Sequence, residues 1–168
     1  MSYTAQDERN DNSGRVWGAT ATAPHRTHYV AGLLFDDLGD IVLLMRKRKP
    51  AWQAGKLNAI GGRIEPGESP VAAMIREFEE EAGARVLDWT PLAVLTGPDF
   101  VVHFYFTHDT EALFAARTME AEPVGRFPTG RALTDPDLIP NLRVLIPLAL
   151  DRSGIAKPVF LTDLRKAA

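Results

Sequence analysis

An α/β domain is what this chain predicts, and three features carry the prediction. Short apolar runs bounded by glycine, proline and aspartate read as strands, most clearly residues 29–35 (YVAGLLF) and 41–48 (IVLLMRKR). Residues 70–82 read as a helix with sharp boundaries: Ser69 as N-cap, Pro70 at the first helical position and Gly83 just past the end. The 168 residues are 45% apolar, enough for one hydrophobic core.

Taken in order, residues 1–25 are polar, with 7–14 (DERNDNSG) at their centre, and are expected to form a flexible leader on a single domain spanning 26–168. Trp17 is the residue there suited to pack back on the domain. Strands 29–35 and 41–48 flank Asp36-Asp37-Leu38-Gly39-Asp40, a turn, so they predict a hairpin. The three aspartates lack the glutamate and spacing of a calcium loop. Residues 49–69 hold Pro50, Gly55, Gly61, Gly62, Pro66 and Gly67 and read as a structured loop. Beyond the helix, 86–95 and 100–107 predict strands. In the second, Val102, Phe104 and Phe106 face one way and Val101, His103 and Tyr105 the other. Residues 111–116 are ambiguous, 123–127 predict a short strand, 138–150 a helix kinked by Pro147, and 159–162 a last strand.

The helix 70–82 carries the chemistry. At about 100° per residue, Val71, Met74, Ile75, Phe78 and Ala82 fall in one arc, a core-facing stripe. Glu77, Glu80 and Glu81 share the arc beside it, at i, i+3 and i+4. Like charges at that spacing repel by a few tenths of a kcal/mol per pair, and they crowd the end of the helix where the macrodipole disfavours anions. Folding alone gives no reason to build this; a hard divalent cation, which takes oxygen ligands, does.

The chain has no cysteine, which excludes disulfides, thiolate metal sites and cysteine nucleophiles, so a metal must be held by oxygen or by the four histidines. A net charge of -3 gives no sign of a nucleic-acid or anionic-membrane partner. No apolar run approaches the roughly 20 residues of a membrane span, and no secretory segment is evident, so the expected location is cytoplasmic.

The stretch from Gly62 to Ala84 resembles the motif of the Nudix hydrolase family, G-x5-E-x7-R-E-U-x-E-E-x-G-U with U a bulky apolar residue. Every invariant letter matches, and the one departure is the small Ala84 at the last U. The resemblance also takes in residues 28–62 and, more loosely, 86–150. It implies an α/β/α sandwich with a mixed β-sheet. It implies Mg²⁺ or Mn²⁺ held by Glu77, Glu80, Glu81 and the backbone carbonyl of Gly61, with Arg76 orienting the glutamates and Glu68 bracing the loop, while Gly62 and Gly83 are structural. Family members often supply another acidic ligand from the loop before the last strand, and the resemblance makes Glu122 the candidate for it, in competition with Glu120. The implied reaction is hydrolysis of a nucleoside diphosphate linked to another group.

The loop 52–63 looks like that of the oxidised-purine nucleoside triphosphatases of the family, which points to a purine nucleoside triphosphate cleaved to monophosphate and pyrophosphate. An asparagine amide suits a purine edge, so Asn58 is assigned to the base, Trp52 to stacking on it, and Arg46 from the basic run 46–49 to the phosphates. Alternatives are ADP-ribose or a nucleotide sugar, for which Pro98 lies close to a marker position, and a non-catalytic nucleotide sensor, which would commonly have lost a box glutamate. The expected partner is a small-molecule nucleotide, with no nucleic acid and no membrane, and a homodimer is left open.

Overall fold

The computed structural model describes residues 26–151 and 158–163, so the expected leader and Trp17 lie outside the described residues. Strand β1 (Thr27–Phe35) and strand β2 (Ile41–Arg46) form the hairpin, with Leu34 opposite Leu43 and Phe35 opposite Val42. Its turn is closed by the Asp36 carboxylate, which accepts the Ile41 N–H at 2.8 Å. A short 3-10 turn (Ala51–Gln53) and the two-residue strand β3 (Leu57–Asn58) precede helix α1 (Pro70–Ala82). Then follow β4 (Thr90–Thr96), β5 (Phe100–His108), α2 (Thr110–Ala115), β6 (Val124–Pro128), α3 (Thr129–Thr134), α4 (Leu142–Leu150) and β7 (Val159–Thr162).

The strands form one mixed sheet in the order β3-β2-β1-β5-β4-β7, with β6 also paired to β2. β1 runs parallel to β5 and β4 parallel to β7, and the other pairings are antiparallel. Because side chains alternate along a strand, β1 sends Leu33 and Phe35 to one face and Val30 and Leu34 to the other. The first face packs against α4 through Leu142, Leu145, Ile146 and Ala149. The second packs against α1 through Ala73, Met74, Phe78 and Ala82. The expected α/β/α sandwich is therefore present. Each fully buried leucine or phenylalanine contributes roughly 1.5–3 kcal/mol, so the two clusters hold the sheet rigid between its helices.

Several local expectations need correction. The strand expected from 86 begins only at Thr90. Val86 and Trp89 are buried under the end of α1, where Trp89 meets the Phe78 ring edge-on and donates to the Val86 carbonyl at 3.1 Å; apolarity there serves packing, not a ladder. The helix expected from 138 begins at Leu142. Ile139 N–H donates to the Leu57 carbonyl at 3.0 Å, and Pro140 disfavours helix in the residue before it. Residues 129–134 form a helix that periodicity did not foretell. Residues 110–115 resolve as helix, capped by Asp109.

Most consequential is the rotation of α1. Its buried residues are Ala73, Met74, Phe78, Glu81 and Ala82, while Val71 is exposed and Ile75 partly so. The buried arc is turned by roughly 60° from the expected apolar stripe. That turn carries Glu81 inside.

Candidate active site

The loop before α1 is pressed against β1. Gly62 carbonyl accepts the Val30 N–H at 2.9 Å, and Ile60 carbonyl accepts the Gly32 N–H at 2.7 Å. This leaves no room for side chains at the paired glycines. A Cβ on Gly61, whose φ is +147°, would lie 2.3 Å from the Val30 carbonyl oxygen, and one on Gly62 would lie 2.2 Å from Glu77 Oε2. Glycine at both positions lets backbone and carboxylate meet.

α1 then presents its acidic row. Ser69 Oγ accepts the Ala72 N–H at 3.3 Å, and Gly83 closes the helix at φ +65°. Arg76 is the hub of one half of the row. Its guanidinium grips Glu68 through Nε and Nη2, both at 2.9 Å, and donates from Nη1 to Glu77 at 2.9 Å and Glu80 at 3.1 Å. Nη2 also donates to the Arg63 carbonyl at 3.0 Å, tying loop to helix. The Glu68 hydrogen bond is the largest cause holding the guanidinium protonated far above its ordinary range, and the same bond lowers the Glu68 carboxyl below the usual value. Glu77 is raised by burial despite Arg76.

The other half is differently built. Glu81 is 9% exposed and accepts the Gly61 N–H at 2.9 Å, and burial pushes its carboxyl up to about 7 against the attraction of Lys47. Lys47 Nζ stands 3.8 Å from Glu81 Oε1 and 2.8 Å from Glu122 Oε2. Glu122 also accepts the backbone N–H groups of Arg48 at 2.6 Å and Lys49 at 3.3 Å. Burial alone would raise the Glu122 carboxyl, but the Lys47 and backbone bonds hold it below its ordinary value. Glu122, rather than the exposed Glu120, joins the acidic row.

Five carboxylates thus face two basic side chains. Among the described residues no three acidic or imidazole groups stand together as a ready metal site, since Glu80 is turned to Arg76 and Glu122 to Lys47. The donor set nonetheless fits a hard divalent cation: oxygen ligands, residual negative charge, and a buried Glu81 carboxylate short of positive partners.

Beside the row lies a cleft of about 1110 Å³, lined among others by Tyr29, Lys47, Trp52, Asn58, Gly61, Gly62, Phe100 and Asn141. Gly61 and Lys47 form its border with the carboxylates. Trp52 is 64% exposed at its wall. Asn58 lines it with its amide braced, Nδ2 donating to Gln53 Oε1 at 3.0 Å and Oδ1 accepting the Ala59 N–H at 2.8 Å. Arg46 does not line the cleft. It pairs with Asp137 at 3.1 Å and donates to the Gly55 carbonyl, while the next residue, Lys47, points to the site.

Asn141 was not foreseen. It occupies the N-cap position of α4, where an asparagine ordinarily caps with its side chain, yet it makes no such bond. Its Oδ1 is, among the described residues, the one buried side-chain polar atom with no hydrogen-bond partner. A buried unpaired acceptor costs about 1–3 kcal/mol, and the residue that carries it is one of those lining the cleft. No sequence signal short of knowing its burial could have found it.

Residues 25–148 match the model of the NUDIX domain family. The chain is 30% identical over 97 residues to the ADP-ribose pyrophosphatase of Bacillus subtilis (strain 168), covering 55% of this chain and 52% of that protein. It is 32% identical over 85 residues to the 8-oxo-dGTP diphosphatase of Escherichia coli (strain K12), covering 51% and 62%. The chain therefore spans only about half to six-tenths of the length of these curated relatives. Among solved structures, the MutT NUDIX hydrolase from Burkholderia pseudomallei superposes with a TM-score of 0.60 at 23% identity, over 73% of this chain and 97% of that one, a likeness of fold.

Proposed function

The chain belongs to the NUDIX hydrolase family, and from that premise we propose that it hydrolyses a purine nucleoside triphosphate, oxidised purines included, to the monophosphate and pyrophosphate. The observation that carries the reaction is Glu81: a buried carboxylate fixed by the Gly61 N–H at the border of a nucleotide-sized cleft.

Glu77, Glu80 and Glu81 would hold Mg²⁺ or Mn²⁺ together with the Gly61 backbone, and Glu122, which shares Lys47 with Glu81, would add a further oxygen ligand. Such a cation, when bound, supplies charge neutralisation on the diphosphate and a lowered pKa for an attacking water. The chain's own residues do the rest. Arg76 holds Glu77 and Glu80 in position and ties the glycine loop to the helix. Gly61 and Gly62 let the loop backbone pack between β1 and the Glu77 carboxylate, which holds Glu77 and Glu81 against the loop. At the base end, the unpartnered Asn141 Oδ1 accepts a hydrogen bond from a purine N–H, Asn58 offers its remaining amide hydrogen and lone pair, and Trp52 provides a stacking face.

A second reading is hydrolysis of ADP-ribose. It is favoured by the Bacillus subtilis relative and by Pro98, beside cleft residues Asp99 and Phe100. The sensor reading is disfavoured because every box glutamate is retained.

Steady-state hydrolysis of 8-oxo-dGTP, dGTP, dCTP and ADP-ribose under one set of conditions tests the substrate. Purine triphosphates should be preferred over dCTP and ADP-ribose. Asn141→Leu should raise KM for them far more than it lowers kcat, by roughly tenfold to a hundredfold, while leaving the melting temperature unchanged or higher because the orphaned oxygen is gone. A clear preference for ADP-ribose would overturn the triphosphate reading and leave the acidic site as described.

A further inference from the structure

The Lys47 ammonium is held unlike an ordinary ion pair. Its short bond goes to Glu122 Oε2 at 2.8 Å, a looser contact reaches Glu81 Oε1 at 3.8 Å, and its other near neighbour is the Met45 thioether sulfur at 3.2 Å. A thioether is a weak acceptor, so an ammonium with three donors is only partly satisfied here. All three charged side chains are nearly closed to water, at 14%, 11% and 13% exposure. Lys47 also lines the nucleotide cleft, whose border with the carboxylates it shares with Gly61.

We propose that Lys47 is a replaceable counter-cation: its ammonium neutralises Glu81 and Glu122 in the metal-free protein and is displaced into the cleft when a divalent cation binds them. The inference rests on the cation-site reading above. The physical reason is exclusion. Two positive groups within about 4 Å in a poorly hydrated site repel by several kcal/mol even at an effective dielectric of 20, so ammonium and cation cannot share the two carboxylates. A four-carbon stem on rotatable bonds lets the ammonium leave without moving the strand. Lys47 is thus a positioning residue. It keeps the two glutamates together and near their working places before the cation arrives, at the cost of weaker cation binding. Once displaced, it faces the side from which an anionic substrate comes.

The test is Mn²⁺ binding to the full chain without nucleotide, followed by calorimetry and by the electron paramagnetic resonance of free Mn²⁺. Lys47→Met keeps the stem and removes the charge, so it should bind Mn²⁺ roughly tenfold more tightly than wild type and gain more melting temperature from the ion. Lys47→Arg keeps the charge and should stay within about threefold of wild type. Should the Met variant not fold, Lys47→Gln serves the same comparison. Unchanged or weaker Mn²⁺ binding on loss of the charge overturns the proposal, as does an Arg variant that binds as tightly as the Met variant. A wild-type chain that binds no Mn²⁺ would instead remove the cation-site reading on which the proposal stands.

Discussion

Two basic residues stand at opposite ends of one row of glutamates and are held in opposite ways. Arg76 spends its donors on Glu68, Glu77, Glu80 and a backbone carbonyl, a planar fork locked at several points. Lys47 offers one ammonium, on a stem of rotatable bonds, to two carboxylates, one of them at 3.8 Å. At the Arg76 end Glu80 is half exposed and Glu68 is pulled down by its partner; at the Lys47 end Glu81 is driven up by burial. The contrast separates architecture from chemistry. The locked half builds the loop–helix junction, and the loosely paired half keeps a carboxylate whose buried charge is relieved by a proton or by a further cation.

The largest expected effect breaks the site at its costly end. Glu81→Gln keeps the shape and the Gly61 contact but removes the charge. Hydrolysis should fall by roughly 10²- to 10⁴-fold, while the melting temperature at pH 8 holds or rises. Arg76→Met should behave otherwise. It leaves Glu68, Glu77 and Glu80 without their common partner, so it should cost about 2–3 kcal/mol of stability, between the values for exposed and buried pairs, together with activity. Kinetics and thermal unfolding on both variants check this. Equal loss of stability in the two would erase the distinction between the halves.

The pH dependence of stability sharpens the same comparison. Glu81 ionises near 4.5 when unfolded and at about 7 when folded. Below 4.5 both states are protonated; between 4.5 and 7 the folded state binds the extra proton, so stability falls as pH rises through that window. The loss is on the order of 3 kcal/mol without metal, and the raised Glu77 adds in the same direction. His103, lowered by burial, contributes the opposite slope as pH rises toward its unfolded value. The difference between wild type and Glu81→Gln isolates the Glu81 part. Mg²⁺ should raise the wild-type melting temperature more at pH 8 than at pH 5, and an equal rise at both would remove Glu81 from the cation site.

How much of this was legible in the chain follows from where the information resides. The helix 70–82, its Ser69 and Gly83 caps and the glutamate spacing are contiguous, so local geometry and motif reveal them together. The orientation of that helix is not local. A pattern that counts apolar residues turns Val71 inward, whereas the fold turns Glu81 inward against the glycine loop. Lys47 and not Arg46 faces the cleft because Arg46, the last residue of β2, is drawn aside by Asp137, a partner 91 residues further along the chain. Glu122 was in view only as one of two choices, because the loop carrying it is positioned by the N–H groups of Arg48 and Lys49, some seventy residues earlier. Asn141 was out of reach altogether: its meaning is a missing partner, which exists only once the chain is packed.

The smallest expected effect is the control that gives the others their meaning. Glu79 sits between two residues of the row but points away from it, about 100° around the helix from Glu80 and about 160° from Glu77. Its side chain is half exposed, and its ion pair with Arg85 is long, at 3.9 Å. Exposed pairs of that kind contribute about 0.2–1 kcal/mol at best. Glu79→Gln should therefore change the melting temperature by no more than a degree or two and leave kcat/KM within about twofold of wild type. It removes the same charge from the same helix as Glu81→Gln, so any effect of net charge or of the macrodipole is common to both. If it damaged hydrolysis as Glu81→Gln does, the working face of α1 would be misassigned, and the contrast between the locked and replaceable ends of the row would fall with it.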